Sequence, residues 1–275
     1  MDDLVKLNTG SKRSFSIPLS NGQICYGHYH NVKPDSEKPD IEPIGIFVHG
    51  FRSGCSGTKA AYFRQKANMT GRQWIDFDLP CHGRSDGVFR SFRIGYCLEA
   101  LLKVIASVGN KPVVLVGSSM GGWLSLLASR YIAAQKEQLE SEMNMAEIRG
   151  AVLIAPAFDF VEYYFTQKLN VDMVDWKRAG VMGFDDAYSN EPFLLDFGVL
   201  KDSGEHALMK ETLNFDFPIG IFHGENDEVV PFSTSEHFVK MAHGSQVDLQ
   251  MISGGDHALN EHLEYFWASI DEHFL

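Results

Sequence analysis

The chain has 275 residues, of which 44% are hydrophobic, and it carries a formal net charge of −12. A chain of this length can bury one large core, or one core and a covering segment. The negative charge argues against nucleic acid or an anionic membrane surface as a partner, because both attract basic surfaces. No apolar run approaches the roughly 20 residues that span a bilayer, so we expect no membrane span.

The N-terminus and the cysteines favour a cytoplasmic location. The first six residues include two aspartates and lack the apolar segment of a secretory signal peptide. The four cysteines, at positions 25, 55, 81 and 97, show no C-x-x-C spacing. Two disulfides are arithmetically feasible, but these observations favour reduced thiols in a cytoplasmic protein.

Hydrophobic patterning alternates between strands and helices. Two short strands, 15–17 and 24–29, flank an Asn21-Gly22 turn that is typical of a hairpin. After a polar loop at 31–43, fully apolar strands alternate with helical segments. The predicted strands of this part are 44–48, 73–77, 113–116, 151–156, 218–222 and 247–252. Apolar strands joined by helices predict an α/β fold with a mostly parallel central sheet flanked by helices.

Residues 157–215 break this alternation and are rich in aromatic side chains. We expect a helical lid here, inserted after the sixth strand, over a core formed by residues 1–156 and 216–275. The alternative is that these rings only anchor the insertion to the core. The charged stretch 135–147 is interpreted as an exposed helical extension or a surface loop.

A G-x-S-x-G motif lies where a buried strand turns into a helix, at residues 117–121. Glycines at 117 and 121 permit close contact between strand and helix, and Ser119 can then occupy a strained turn that exposes its hydroxyl. The start of the helix directs free N–H groups and a positive dipole at the same point. A simple turn of small residues is the alternative. The motif indicates that Ser119 is a nucleophile.

Three other short runs follow predicted strands. His49-Gly50-Phe51 follows the strand at 44–48, a position from which the Phe51 amide could stabilise an oxyanion. A late strand is followed by H-G-x-x-D-x-x-V-P at 223–231, and the last strand by G-G-D-H at 254–257. The alternative for His49-Gly50-Phe51 is an ordinary loop between strand and helix, and the alternative for Asp227 is an ordinary capping or loop carboxylate.

Together these runs resemble serine-type α/β hydrolases, from Ile44 to the end of the chain. They are most similar to the abhydrolase-domain-10-like branch, which comprises palmitoyl-protein thioesterases, acyl-glucuronide esterases and bacterial relatives. The matching stretches are 50–53, 57–60, 117–123, 155–160, 223–231 and 255–257. The chain departs from this branch at Cys81, where glycine is usual, in the stretch 135–147 and in a longer N-terminal hairpin.

The resemblance implies roles for individual residues. Ser119 would be the nucleophile, His257 the base and Asp227 the acid, in the order Ser…Asp…His of this fold. Glu225, Glu228 and Asp159 are weaker candidates for the acid. The amides of Phe51 and Met120 would form the oxyanion hole. For contact with substrate we single out Arg52, Phe158, Tyr163 and Val230.

The implied function is cleavage of acyl esters or thioesters through an acyl-enzyme intermediate, which requires neither a metal nor a cofactor. The expected partner is a small-molecule acyl ester or thioester, with no nucleic acid and no membrane span, and a homodimer is left open. Three alternatives remain: a C–C bond hydrolase, a small-peptide hydrolase with the same three residues, and a non-catalytic binding protein.

Overall fold

The computed structural model describes residues 12–31, 42–138, 146–185, 192–210, 212–244 and 246–275. The acidic N-terminus, most of the polar loop 31–43 and residues 139–145 of the charged stretch lie outside the described residues. The first part of that stretch is helical, because the helix after the G-x-S-x-G motif continues to Gln138.

Strands and helices alternate through most of the described chain. The strands are β1 (Lys12–Pro18), β2 (Ile24–His30), β3 (Ile44–Val48), β4 (Trp74–Phe77), β5 (Val113–Ser118), β6 (Ile148–Ile154), β7 (Val181–Phe184), β8 (Phe193–Asp196), β9 (Leu213–Asn214), β10 (Ile219–Gly224), β11 (Ala242–His243) and β12 (Val247–Ile252). The α-helices are α1 (Thr58–Thr70), α2 (Ile94–Ser107), α3 (Met120–Gln138), α4 (Phe160–Tyr163), α5 (Met173–Ala179), α6 (Gly198–Glu205), α7 (Ser233–Met241) and α8 (Leu263–His273).

Eight strands form the central sheet, in the order β1-β2-β4-β3-β5-β6-β10-β12. The N-terminal hairpin joins the sheet antiparallel, and every other pairing in it is parallel. The mostly parallel sheet is therefore confirmed. Because β3, β5, β6 and β10 are parallel neighbours, their carboxyl ends meet at one edge, where ligand sites form in such folds.

Helices cover both faces of the sheet, which explains why the central strands are apolar throughout. Along β5, Val113 and Leu115 pack into one hydrophobic cluster with α2 and α3. The alternate residues Val114 and Val116 pack into the other cluster, with α1 and α8. Successive side chains of a strand point to opposite faces, so a strand covered on both sides is buried at every position.

The insertion at 157–215 differs from the expected lid, because its described part is only partly helical. Besides α4, α5 and α6 it contains the antiparallel strand pair β7–β8. Along β8 buried and exposed residues alternate, with Phe193 and Leu195 buried and Leu194 exposed. This period of two favours a strand rather than a helix. Tyr188, one of the aromatic residues of the segment, lies outside the described residues.

Candidate active site

Ser119 lies in a strained turn between β5 and α3. Its φ angle is 54°, in the left-handed region that non-glycine residues rarely occupy. Hydrogen bonds hold the turn: the Ser119 amide donates to the Ile154 carbonyl at 2.9 Å, and the Ser119 carbonyl accepts from Ala157 at 3.1 Å. A Cβ on Gly121 would collide with the Val48 carbonyl, so glycine is required there. The strained turn between strand and helix is the one that the G-x-S-x-G motif predicts, and the nucleophilic role of Ser119 stays a prediction.

His257 and Asp227 converge on Ser119 from two different loops. His257 Nε2 lies 3.0 Å from Ser119 Oγ, and His257 Nδ1 lies 2.7 Å from Asp227 Oδ2. Asp227 follows β10 and His257 follows β12, and these strands are parallel neighbours. A Cβ on Gly224 would collide with the backbone of Gly255, so glycine allows the two loops to touch. The structure thus brings together the three residues that the sequence singled out.

The environment of Asp227 keeps its carboxylate charged. Burial alone would raise the pKa of Asp227, but hydrogen bonds from His223 and His257 outweigh burial and lower it below its ordinary value. The other carboxylate oxygen accepts the amides of Val229 and Val230 at 2.9 and 2.8 Å. A charged, fixed acid of this kind can orient an imidazole and stabilise its protonated form.

His223 is a contact of Asp227 to which the sequence analysis gave no role. It is fully buried, and its Nε2 lies 3.2 Å from Asp227 Oδ2. Its Nδ1 lies 2.7 Å from the hydroxyl of Ser235. The signal was present in the sequence, because His223 begins the H-G-x-x-D run that places Asp227.

The loop after β3 passes directly beside Ser119. A Cβ on Gly50 would lie 3.1 Å from Ser119 Cβ, so a side chain at position 50 would crowd the serine. Within the described part of the chain, the amides of Phe51 and Met120 donate no hydrogen bond. Met120 begins α3, where the first amides have no partner in the helix. Both amides could therefore donate to another group, and their role as an oxyanion hole stays a prediction.

A pocket of about 750 Å³ opens above Ser119. Ser119 and His257 line it, and Asp227 lies behind His257 with only 8% of its surface exposed. This volume falls within the range of about 300–1,000 Å³ that is typical of small-molecule sites.

All four residues singled out for substrate contact line this pocket. Phe158 is buried and stacks on Phe238 with ring centres 4.7 Å apart, whereas Tyr163 is 39% exposed. The guanidinium of Arg52 lies over the Phe193 ring, 4.5 Å from its centre.

Lys59 also lines the pocket; it belongs to the matching stretch 57–60, but the sequence analysis gave it no role. It lies in the first turn of α1, and its Nζ donates to Asn260 Oδ1 at 3.4 Å. Burial lowers the pKa of Lys59 to about 8. Only the three-dimensional packing of α1 against the loop of His257 reveals this position.

Two of the rival carboxylates make other contacts. Glu225 accepts hydrogen bonds from Ser253 and Gly254 at 2.9 Å each, away from His257. Asp159 accepts the amides of Leu208 and Met209 at 2.7 and 2.8 Å, and thereby ties the two ends of the insertion together.

Across the described ranges, no group of three or more His, Cys, Asp or Glu side chains is arranged to hold a metal ion. None of the helices in the described residues combines the length and the apolar character that a membrane span requires.

A model of the alpha/beta hydrolase family matches residues 46–266, which is most of the chain. The chain belongs to the α/β-hydrolase family. The match begins in β3 and ends in α8, so it spans the core strands that carry the three converging residues. It also includes the insertion.

Among the proteins that are similar to this chain are palmitoyl-protein thioesterases. Palmitoyl-protein thioesterase ABHD10, mitochondrial, from Bos taurus and from Homo sapiens is 28% identical over 217 residues. The alignment covers 78% of this chain and 67% of either relative. The mitochondrial location is part of those proteins' names, and the cytoplasmic location of this chain stays a prediction.

Solved structures share the fold over nearly the whole chain. A crystal structure from Agrobacterium vitis is 26% identical with a TM-score of 0.79 and covers 94% of this chain and 97% of its own. Mouse α/β hydrolase domain-containing protein 10 has the same coverage, a TM-score of 0.75 and 23% identity. These similarities confirm the α/β-hydrolase fold.

Proposed function

We propose that this protein is a serine hydrolase that cleaves carboxylic ester or thioester bonds through an acyl-enzyme intermediate. The observation that carries the proposal is the hydrogen-bonded series from Ser119 through His257 to Asp227, with distances of 3.0 and 2.7 Å, at the wall of a pocket. In such a series the imidazole can take a proton from the hydroxyl while the carboxylate stabilises the imidazolium.

The first half of the reaction acylates the enzyme. His257 Nε2 takes the proton of Ser119 as Oγ attacks the carbonyl carbon of the substrate. Negative charge moves to the carbonyl oxygen, where the amides of Phe51 and Met120 donate hydrogen bonds. The tetrahedral intermediate then collapses, and the leaving alcohol or thiol receives the proton from His257.

The second half regenerates the serine. A water molecule takes the position of the leaving group and gives its proton to His257 as its oxygen attacks the acyl carbon. The bond between that carbon and Ser119 Oγ breaks, the serine regains a proton from His257, and the free acid departs.

The pocket wall supports an apolar acyl group as the part of the substrate that is recognised. Aromatic and aliphatic side chains of the insertion face the pocket, namely Phe158, Phe160, Tyr163, Tyr164 and Met209. Burying such surface against an acyl chain contributes roughly 0.8 kcal/mol per methylene. The insertion would then act as a lid that contributes most of the acyl-binding surface.

The similarity to palmitoyl-protein thioesterases supports thioesters among the substrates. A thioester and an oxygen ester present the same acyl carbonyl to Ser119, so one arrangement can cleave both. The leaving group and the acyl chain length then decide which substrate is preferred.

A chain-length series tests the proposal. p-Nitrophenyl esters and the corresponding acyl thioesters, from acetyl to palmitoyl, are compared by kcat/KM, with Ser119→Ala as the background. We expect kcat/KM to rise with chain length because of the apolar wall. A preference for acetyl or butyryl would indicate a general carboxylesterase, and absence of turnover on every substrate would contradict the proposal. Cleavage of a C–C bond or a peptide in preference to these esters would favour the alternatives.

A further inference from the structure

His49 contacts the same peptide unit that carries a candidate oxyanion donor. Its Nδ1 lies 2.8 Å from the carbonyl oxygen of Gly50. That carbonyl and the Phe51 N–H belong to one peptide group, in which C=O and N–H point in opposite directions. Any group that fixes the direction of the Gly50 carbonyl therefore also fixes the direction of the Phe51 N–H.

The hydrogen bonds of His49 determine which ring nitrogen carries its proton. The Leu79 amide donates to His49 Nε2 at 3.0 Å, so Nε2 must be an unprotonated acceptor. The proton of a neutral ring then lies on Nδ1, which donates to Gly50. Burial lowers the pKa of His49, which is 1% exposed, so the ring stays neutral.

His82 supports the next peptide, between Phe51 and Arg52, by accepting a hydrogen bond from its N–H. The Arg52 amide donates to His82 Nε2 at 3.1 Å, and His82 Nδ1 lies 2.8 Å from the Pro80 carbonyl. Arg52 has a φ angle of 58°, a strained conformation that needs such support. The rings of His49 and His82 pack edge to face with centres 5.1 Å apart, and burial lowers the pKa of His82 to about 3. Two neutral rings thus hold the loop.

We propose that His49 is a positioning residue of the oxyanion hole, whose Nδ1–H holds the Gly50 carbonyl so that the Phe51 N–H points at the substrate oxygen. The bond to the carbonyl also polarises the peptide, which strengthens its N–H as a donor. This inference rests on the proposed function, because it requires an oxyanion beside Ser119.

Two substitutions separate the two hydrogen bonds of His49. In His49→Asn, the side-chain amide nitrogen takes the place of Nδ1 and can still donate to Gly50, while Leu79 loses its acceptor. In His49→Gln, the amide reaches the place of Nε2 and can accept from Leu79, while Gly50 loses the imidazole donor. Each variant loses one buried hydrogen bond, so both should unfold at a lower temperature than the wild type.

The readouts are kcat and KM on p-nitrophenyl butyrate and the rate of labelling by a fluorophosphonate, whose phosphoryl oxygen would occupy the oxyanion hole. Loss of a whole oxyanion donor costs about 10²–10³ in rate. A misdirected Phe51 N–H in His49→Gln should therefore lower kcat and the rate of labelling by about 10- to 100-fold, with KM nearly unchanged. His49→Asn should stay within about threefold of the wild type, since it keeps the donor. His30→Gln, at a position in β2 that is 2% exposed, controls for the loss of a buried imidazole and should keep full kcat.

Equal rates for the two His49 variants would overturn the inference, as would His49→Gln with wild-type kcat. A wild type that neither hydrolyses esters nor reacts with the fluorophosphonate would instead overturn the proposed function, and this inference with it. A measurement on the wild type requires no variant to fold: ¹⁵N NMR should show the His49 proton on Nδ1. A proton on Nε2 would contradict the inference.

Discussion

Nδ1 of His257 lies 2.7 Å from the carboxylate of Asp227, although 30 residues separate them in the chain. The carboxylate is buried, and amides and His223 occupy its other acceptor sites. Asp227 is therefore fixed in place before any substrate binds. In the proposed reaction, a carboxylate that is fixed in this way would need no reorganisation.

Replacing Asp227 with Asn should lower kcat by about 10⁴ while the protein stays folded, because the amide no longer selects the tautomer of His257 that accepts the serine proton. Glu225→Gln is the matched control. Glu225 is a neighbouring carboxylate that accepts two hydrogen bonds but does not contact His257, so kcat should not change. The kcat values of both variants are measured by steady-state kinetics on the same ester. An equal fall in kcat in the two variants would show that Asp227 is not the acid.

Asp159→Asn should loosen the insertion. Asp159 uses one carboxylate oxygen for the Leu208 amide and the other for the Met209 amide, and Asn can accept only one of the two. We expect the free energy of unfolding to fall by about 1–3 kcal/mol, the cost of leaving a donor unpaired. KM for long-chain esters should rise, because Met209 lines the pocket.

Asp172→Asn is the control for this effect. Asp172 also accepts two amides within the insertion, those of Val174 and Asp175, but with a single oxygen. Asn has an equivalent oxygen and caps helices as well as Asp, so denaturant unfolding should be nearly unchanged. Similar destabilisation by both substitutions would contradict the role given to Asp159.

Lys59→Met should stabilise the protein in a pH-dependent manner. Burial lowers the pKa of Lys59 from its ordinary value of 10.5 to about 8, so the native state binds its proton more weakly than the unfolded state. Below pH 8 the buried charge of Lys59 lowers the stability of the wild type by its full amount. This destabilisation disappears as the pH rises from 8 to 10.5. Melting temperatures should thus differ most below pH 8 and converge towards pH 10.5. A difference in melting temperature that stays constant with pH would contradict the role given to the charge of Lys59.

Much of the fold was predictable from local pattern. The central strands are apolar throughout because helices cover both faces, and that pattern identifies a parallel sheet without a structure. Glycine-bounded motifs marked Ser119, Asp227 and His257, because sharp turns at strand ends restrict which residues fit. The structure confirms the fold and brings these side chains together.

Other features depend on contacts between distant segments. The strand pair β7–β8 was not predicted, because the aromatic content of the insertion suggested helices. The two strands also lie on either side of residues 186–191, so neither strand has its partner next to it in the sequence. The contacts of His49, His82 and Lys59 could not be predicted, since they arise from segments that meet only in the folded chain. Cys81 has a φ angle of 64°, a conformation that favours glycine and that could not be foreseen from the residue type.

The most direct test of the central claim is mass spectrometry of the protein after reaction with a fluorophosphonate, with Ser119→Ala as the comparison. The account predicts one phosphonyl adduct, on the Ser119 side chain itself, and neither adduct nor ester hydrolysis in Ser119→Ala at an unchanged melting temperature. An adduct on Ser118 or another residue, or full ester turnover by folded Ser119→Ala, would contradict it.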